Sequence, residues 1–209
     1  MKNFFLIIFM LFVAEIRAQT PLGIGLVRIR FDEHLKLNFY SDTMNVEPVK
    51  TLQFYYDPNI DATNIQNLDL QLHWLKPEAL WLDYHFMVFR LVSQTGRWFK
   101  VIVNNENGRS YWIKRTNKTE FRSWESYLKG MLSVARLPQF PQKIRSKPDD
   151  HAPGIEYQGP DCFVVKSVRG DWLEIATSGI CDETSKQIKS GWIRWRKGNR
   201  LLIEYFPTC

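Results

Sequence analysis

Twice in this chain a glycine stands two residues ahead of a tryptophan that opens an alternation of apolar and polar residues, and twice a Trp-Ile-basic triplet follows. The first copy runs Gly96-Arg97-Trp98-Phe99-Lys100-Val101 and then Trp112-Ile113-Lys114. The second runs Gly170-Asp171-Trp172-Leu173-Glu174-Ile175 and then Trp192-Ile193-Arg194. The copies lie 74 residues apart at the first element and 80 at the second, so the later one carries six more residues between its strands. Alternation of period two, bracketed by turn residues, marks a half-buried strand. A chain that repeats such a unit is expected to fold as two copies of one small β-domain rather than as one large fold.

The ends and the charge set the surroundings. Residues 1–18 read as an export signal: Lys2 supplies the positive start, residues 4–13 are an apolar run, and Ile16-Arg17-Ala18 precedes Gln19 as a cleavage site. That run is shorter than the roughly 18 apolar residues of a membrane span. The expectation is a secreted or periplasmic chain starting near Gln19, without a membrane span. The formal charge is +6; residues 1–18 hold Lys2, Arg17 and Glu15, a net +1, which leaves +5 on the exported part. A basic surplus favours anionic surfaces, but the charges are mixed along the chain and export argues against nucleic acid as a partner.

Three cysteines remain, Cys162, Cys181 and Cys209. In an oxidising compartment an odd count leaves one over. Two readings of Cys162 stand side by side: a bridge to Cys181 across a hairpin, or a small buried apolar residue with Cys181 as a loop thiol.

Strands are expected over residues 26–31, 35–40 and 49–56, followed by a polar, Asn-rich inserted loop at 57–70. Lys76-Pro77-Glu78 suggests a short helical turn before Trp81. Residues 86–92 and 98–103 pair across Gln94-Thr95-Gly96, and 111–114 is the return strand. Asn117-Lys118-Thr119-Glu120 resembles a capping box, and Phe121, Trp124, Leu128 and Leu132 follow at helical spacing, which predicts a helix over 119–129 stopped by Gly130. Pro138, Pro141, Pro148 and Pro153 punctuate a junction. Strands at 155–157, 162–168, 172–176, 191–196 and 201–206 follow. The division expected is a signal at 1–18, a first unit at 19–135 and a second at 136–209.

With the motifs in order, the second unit resembles a bacterial Src-homology-3-type domain. Ile144-Arg145-Ser146-Lys147-Pro148 is similar to that family's opening, Gly170 to Ile175 to its Gly-x-Trp strand, and Gly191-Trp192-Ile193 to its closing Gly-Trp-Val/Ile strand. In the first unit Leu37-Asn38-Phe39-Tyr40-Ser41 stands for the opening and Tyr111 replaces the closing glycine. The resemblance implies an all-β chain of two small barrels in tandem, the first enlarged by an insert and a C-terminal helix. It implies binding of peptides, often cell-wall peptides of the peptidoglycan type.

Nothing in the sequence points to catalysis or a cofactor. His34, His73, His85 and His151 lack metal-ligand spacing, no Cys-x-x-Cys pair exists, and no nucleophile elbow or phosphate loop appears. Asp149-Asp150-His151 lies in a proline-flanked polar run that reads as a linker. The expectation is a non-enzymatic binding module; the rival is an assembly subunit whose barrels pack on a partner protein, with no small ligand. The candidate ligand-binding aromatics are Trp195, Tyr205, Trp172 and Trp192, with Trp98 and Trp112 as counterparts. Trp172 and Trp192 hold repeated positions and are expected in the core. Trp195 lies three residues from Trp192, so on a regular strand it faces the other way and is expected to be exposed.

Overall fold

A computed structural model describes residues 20–178 and 187–208. The described residues are all-β, about 48% strand with two short α-helices. Among the described residues no helix is long and apolar enough to cross a membrane.

The first half forms an antiparallel sheet in the order Arg109–Lys114, Trp98–Asn104, Phe86–Thr95, Gly25–Ile29, Thr119–Arg122, with Ala79–Trp81 added beside the start of Phe86–Thr95. A three-stranded ribbon, Lys36–Phe39, Lys50–Asp57 and Ala62–Ile65, lies over one face and joins the sheet edge through a Tyr40–Trp112 bridge. Between ribbon and sheet sits one core, with Phe39, Leu52, Phe54 and Ile65 facing Val27, Met87, Phe89, Phe99, Val101 and Ile113.

The opposite face of the same sheet is also covered. Leu26, Phe86 and Val88 point into a second core with Trp124, Tyr127 and Leu128 from a helix, and Val134, Phe163, Leu173, Ile175, Ile193, Trp195 and Ile203 from the second half. Burial on both faces explains why Phe86-Met87-Val88-Phe89 is apolar without alternation. The second half is a seven-stranded sheet in the order Gly154–Ile155, Ile144–Arg145, Gly191–Arg194, Trp172–Thr177, Phe163–Arg169, Ser133–Arg136, Ile203–Phe206. A separate two-stranded hairpin pairs Arg196–Lys197 with Arg200–Leu201. Ser133–Arg136 is thus hydrogen-bonded into the second sheet, ahead of the proline-rich junction.

Three local expectations need correction. The helix is Trp124–Lys129, not 119–129. Thr119–Arg122 is instead a strand that pairs with Gly25–Ile29, where Gly25 leaves room for the Arg122 carbonyl that a Cβ would meet at 2.5 Å. Ser123, not Asn117, caps the helix, its hydroxyl accepting from the Ser126 N–H at 3.1 Å. Six residues cannot sustain a helix alone; Trp124, Tyr127 and Leu128 hold it by filling the shared core.

The loop at 57–70 contains the Ala62–Ile65 strand and the Leu68–Gln71 helix. Lys76-Pro77-Glu78 is extended, because the Lys76 N–H donates to the Val103 carbonyl at 2.7 Å and its carbonyl accepts from the Asn105 N–H at 2.8 Å. Those bonds leave no group for a helical turn.

Candidate functional site

The sequence repeat is a repeat of strand register. In the first half Trp98 pairs with Lys114, Phe99 with Ile113, Lys100 with Trp112 and Val101 with Tyr111. In the second Trp172 pairs with Arg194, Leu173 with Ile193, Glu174 with Trp192 and Ile175 with Gly191. The preceding strands match too, since both ladders break at one residue, between Leu91 and Ser93 and between Val165 and Ser167. Gly96 and Gly170 turn both hairpins at positive φ, 50° and 59°. The opening strands also correspond, Tyr40 pairing with Trp112 as Arg145 pairs with Trp192.

This register decides which residues face outward. Leu173, Ile175 and Ile193 are fully buried in the shared core. Trp172, Glu174, Trp192 and Arg194 alternate with them and occupy the other face. Trp172 and Trp192 are buried, each 8% exposed, as their repeated positions predict, but on the face opposite the shared core. Cations cover them. The Arg194 guanidinium lies 4.4 Å from the Trp172 ring centre and the Arg169 guanidinium 5.3 Å from that of Trp192. In the first half Lys114 sits 5.6 Å from Trp98 and 5.5 Å from Tyr40, and Lys100 5.8 Å from Trp112, with both tryptophans half-buried.

Trp195 reverses its expectation. It is 2% exposed, packs against Trp124 with ring centres 5.3 Å apart, and its indole N–H donates to the Gly170 carbonyl at 2.9 Å. Trp192 and Trp195 do face opposite ways, but it is Trp192 that points out. The 191–196 strand also breaks at Trp195, whose N–H turns to the Asp171 carbonyl and whose carbonyl accepts from Leu202. Tyr205 likewise belongs to the contact between the two halves. Its hydroxyl donates to Glu78, which also accepts from Arg90 and, at 3.0 Å, from the Asn105 amide. Burial first, and then the Glu78 charge, push the Tyr205 and Tyr127 phenols well above the ordinary range.

Beside Trp172 opens a groove of roughly 750 Å³. Phe140, Pro141, Trp172 and Leu202 supply its apolar lining; Lys143, Arg145, Arg194, Lys197 and Arg200 supply five cations against Asp150, the one carboxylate among the lining residues, and Arg194 also lies 3.8 Å from Asp171. Gln142 fixes one wall, its amide donating to the Arg194 carbonyl at 2.9 Å and accepting from the Arg194 N–H at 2.7 Å. Asp150 sits on Arg194 in a two-pronged contact, at 2.6 and 3.0 Å. The guanidinium holds the Asp150 carboxyl below the usual carboxylate range, and the carboxylate raises Arg194. Asp150 is thus committed to an arginine rather than poised for a cation.

Of the aromatics proposed from the sequence, the groove gathers only Trp172. The five cations were missed; parity could have found Arg194 alone, since in Trp192-Ile193-Arg194 the tryptophan shares a face with the arginine, and Lys143, Arg145, Lys197 and Arg200 carry no such signal. Cys162 is disulfide-bonded, as one of its two readings requires; Cys181 and Cys209 lie outside the described residues.

Comparison with known proteins finds no matching family model, no matching curated protein and no matching solved structure.

Proposed function

We propose that the chain is an exported, non-enzymatic binding module of two Src-homology-3-like barrels in tandem, which takes a peptide or cell-envelope ligand in the groove beside Trp172. The matched registers of the two halves support the tandem reading. One observation carries the assignment of the site: on the outward face of the repeat, an aromatic-floored groove gathers five cations around one carboxylate. An ordinary solvated surface mixes the two signs, and a surplus of one sign gathered in a groove is complementary to a ligand of the opposite sign.

Lys143 and Lys197 are exposed and form no ion pair among the described residues, so reversing them tests the groove without disturbing the fold. Purified exported protein is expected to co-sediment with peptidoglycan-containing envelope fragments. The Lys143→Glu/Lys197→Glu variant is expected to remain in solution with an unchanged thermal melt. Equal co-sedimentation of both proteins would place the ligand elsewhere.

A further inference from the structure

We infer that the groove reads an acidic peptide, and that Asp150 occupies one of the seats meant for that peptide's carboxylates. The inference rests on the groove being the ligand site, and deepens it by naming the ligand's chemistry and an internal competitor.

A sugar ring binds an aromatic side chain through the open face of the ring. Here the faces are occupied: Arg194 lies over Trp172 at 4.4 Å and Arg200 over Phe140 at 5.0 Å. What remains on display is the guanidinium groups, with Lys143 and Lys197 beside them. Planar guanidinium forks match carboxylates in geometry, and stacking on an aromatic ring fixes the plane of the fork beforehand. The groove is therefore built to count carboxylates along a chain, not to stack rings.

One such carboxylate is already there. Asp150 belongs to the turn between Ile144–Arg145 and Gly154–Ile155, and its side chain is 58% exposed. The same turn is anchored independently of it, by the Arg145 guanidinium donating to the Ala152 carbonyl at 2.9 Å and by the Ser146 N–H donating to the Pro153 carbonyl at 3.0 Å. The Asp150–Arg194 contact is thus a two-pronged ion pair that the loop does not depend on, open to exchange for an equivalent carboxylate contact. A peptide carboxylate can take its place on Arg194 while its neighbours meet Lys143 and Lys197.

At the positions equivalent to Arg194 and Arg145 the first half has Lys114 and Tyr40. A lysine offers a point charge without a fork, and tyrosine offers no charge at all. The acid-reading arrangement belongs to the second half alone, which makes Lys114→Glu an internal control.

The test is fluorescence anisotropy with a labelled hexaglutamate peptide, run beside a hexaglutamine peptide and polygalacturonate. Wild-type protein is expected to bind the glutamate peptide in preference to both, with affinity falling as salt rises. Asp150→Asn is expected to tighten binding by about threefold, the worth of one exposed ion pair removed from competition. Lys143→Glu/Lys197→Glu should weaken it by roughly tenfold or more, and Lys114→Glu should leave it unchanged. Preference for polygalacturonate, or no binding of the glutamate peptide, overturns the acidic-peptide assignment. Weaker binding by Asp150→Asn overturns the competitor role and makes Asp150 an organiser of Arg194. The groove reading fails separately, if charge reversal leaves envelope co-sedimentation intact; it stands if co-sedimentation is lost while the glutamate peptide never binds.

Discussion

Replacing Trp195 by alanine removes the side chain on which both halves of the molecule meet. The indole is 2% exposed, tilts against Trp124 at 5.3 Å and gives its N–H to the Gly170 carbonyl. A buried tryptophan covers about 150–250 Å², which at about 25 cal/mol per Å² is worth roughly 4–6 kcal/mol as an upper bound. Trp→Ala truncations in cores cost about 3–5 kcal/mol, and a deserted carbonyl adds about 1 kcal/mol. At about 2–4 °C per kcal/mol for a chain of this size, the melting temperature should fall by roughly 8–24 °C. Trp172→Ala should cost less, about 1–2 kcal/mol, because that ring lies on the outward face beneath a flexible arginine rather than in a closed core. Urea titrations of both variants, followed by far-ultraviolet circular dichroism, separate the cases. A Trp195→Ala protein within about 1 kcal/mol of wild type, with Trp172→Ala the weaker of the two, would refute the assignment of inner and outer faces.

Other consequences follow from the same contacts. The Tyr127 and Tyr205 phenols are held above the ordinary value of 10.0, so the folded state keeps protons that the unfolded chain releases. Their contribution to stability is complete below pH 10 and should fall by about 1.4 kcal/mol per pH unit for each phenol above it; phenolate absorbance should show both resisting ionisation until the protein unfolds. Gly191→Ala would place a Cβ 2.5 Å from the Ile144 methyl and should cost about 1–3 kcal/mol, against about 1 kcal/mol for Gly170→Ala, where only the positive φ is strained; a reversed order in denaturant midpoints would contradict the packing described. Peptide mapping under non-reducing conditions should join Cys162 to Cys181, and its removal should cost about 3 kcal/mol for a loop of about 20 residues. A bridge to Cys209 would show that the hairpin is closed without it.

The hairpins were legible because Gly96 and Gly170 announce turns and the residues after them alternate strictly. What alternation cannot do is say which of two faces is inside. Trp172 and Trp192 are buried as their size suggests, but they share parity with Glu174 and Arg194 and lie on the face where arginines cover the rings. Trp195 sits on the parity of Ile193 and goes inward with it. The strand at Thr119–Arg122 was hidden by helical spacing of Phe121, Trp124 and Leu128, since only the last two enter the core and Phe121 remains 40% exposed. The cationic groove was the least legible part. Lys143, Arg145, Arg194, Lys197 and Arg200 come from three separate segments, and only the pairing of Ile144–Arg145 with Gly191–Arg194 brings them together.

The proposed ligand enters beside Trp172 and is held by the arginines around it. Arginine side-chain N–H resonances, recorded while hexaglutamate is titrated into the labelled protein, test this directly. Arg145, Arg194 and Arg200 should shift progressively and saturate together, while Arg30, Arg90 and Arg122, which are engaged with Glu120 and Glu78 in the first half, stay in place. Shifts confined to the first half, or spread evenly over all of them, would contradict it.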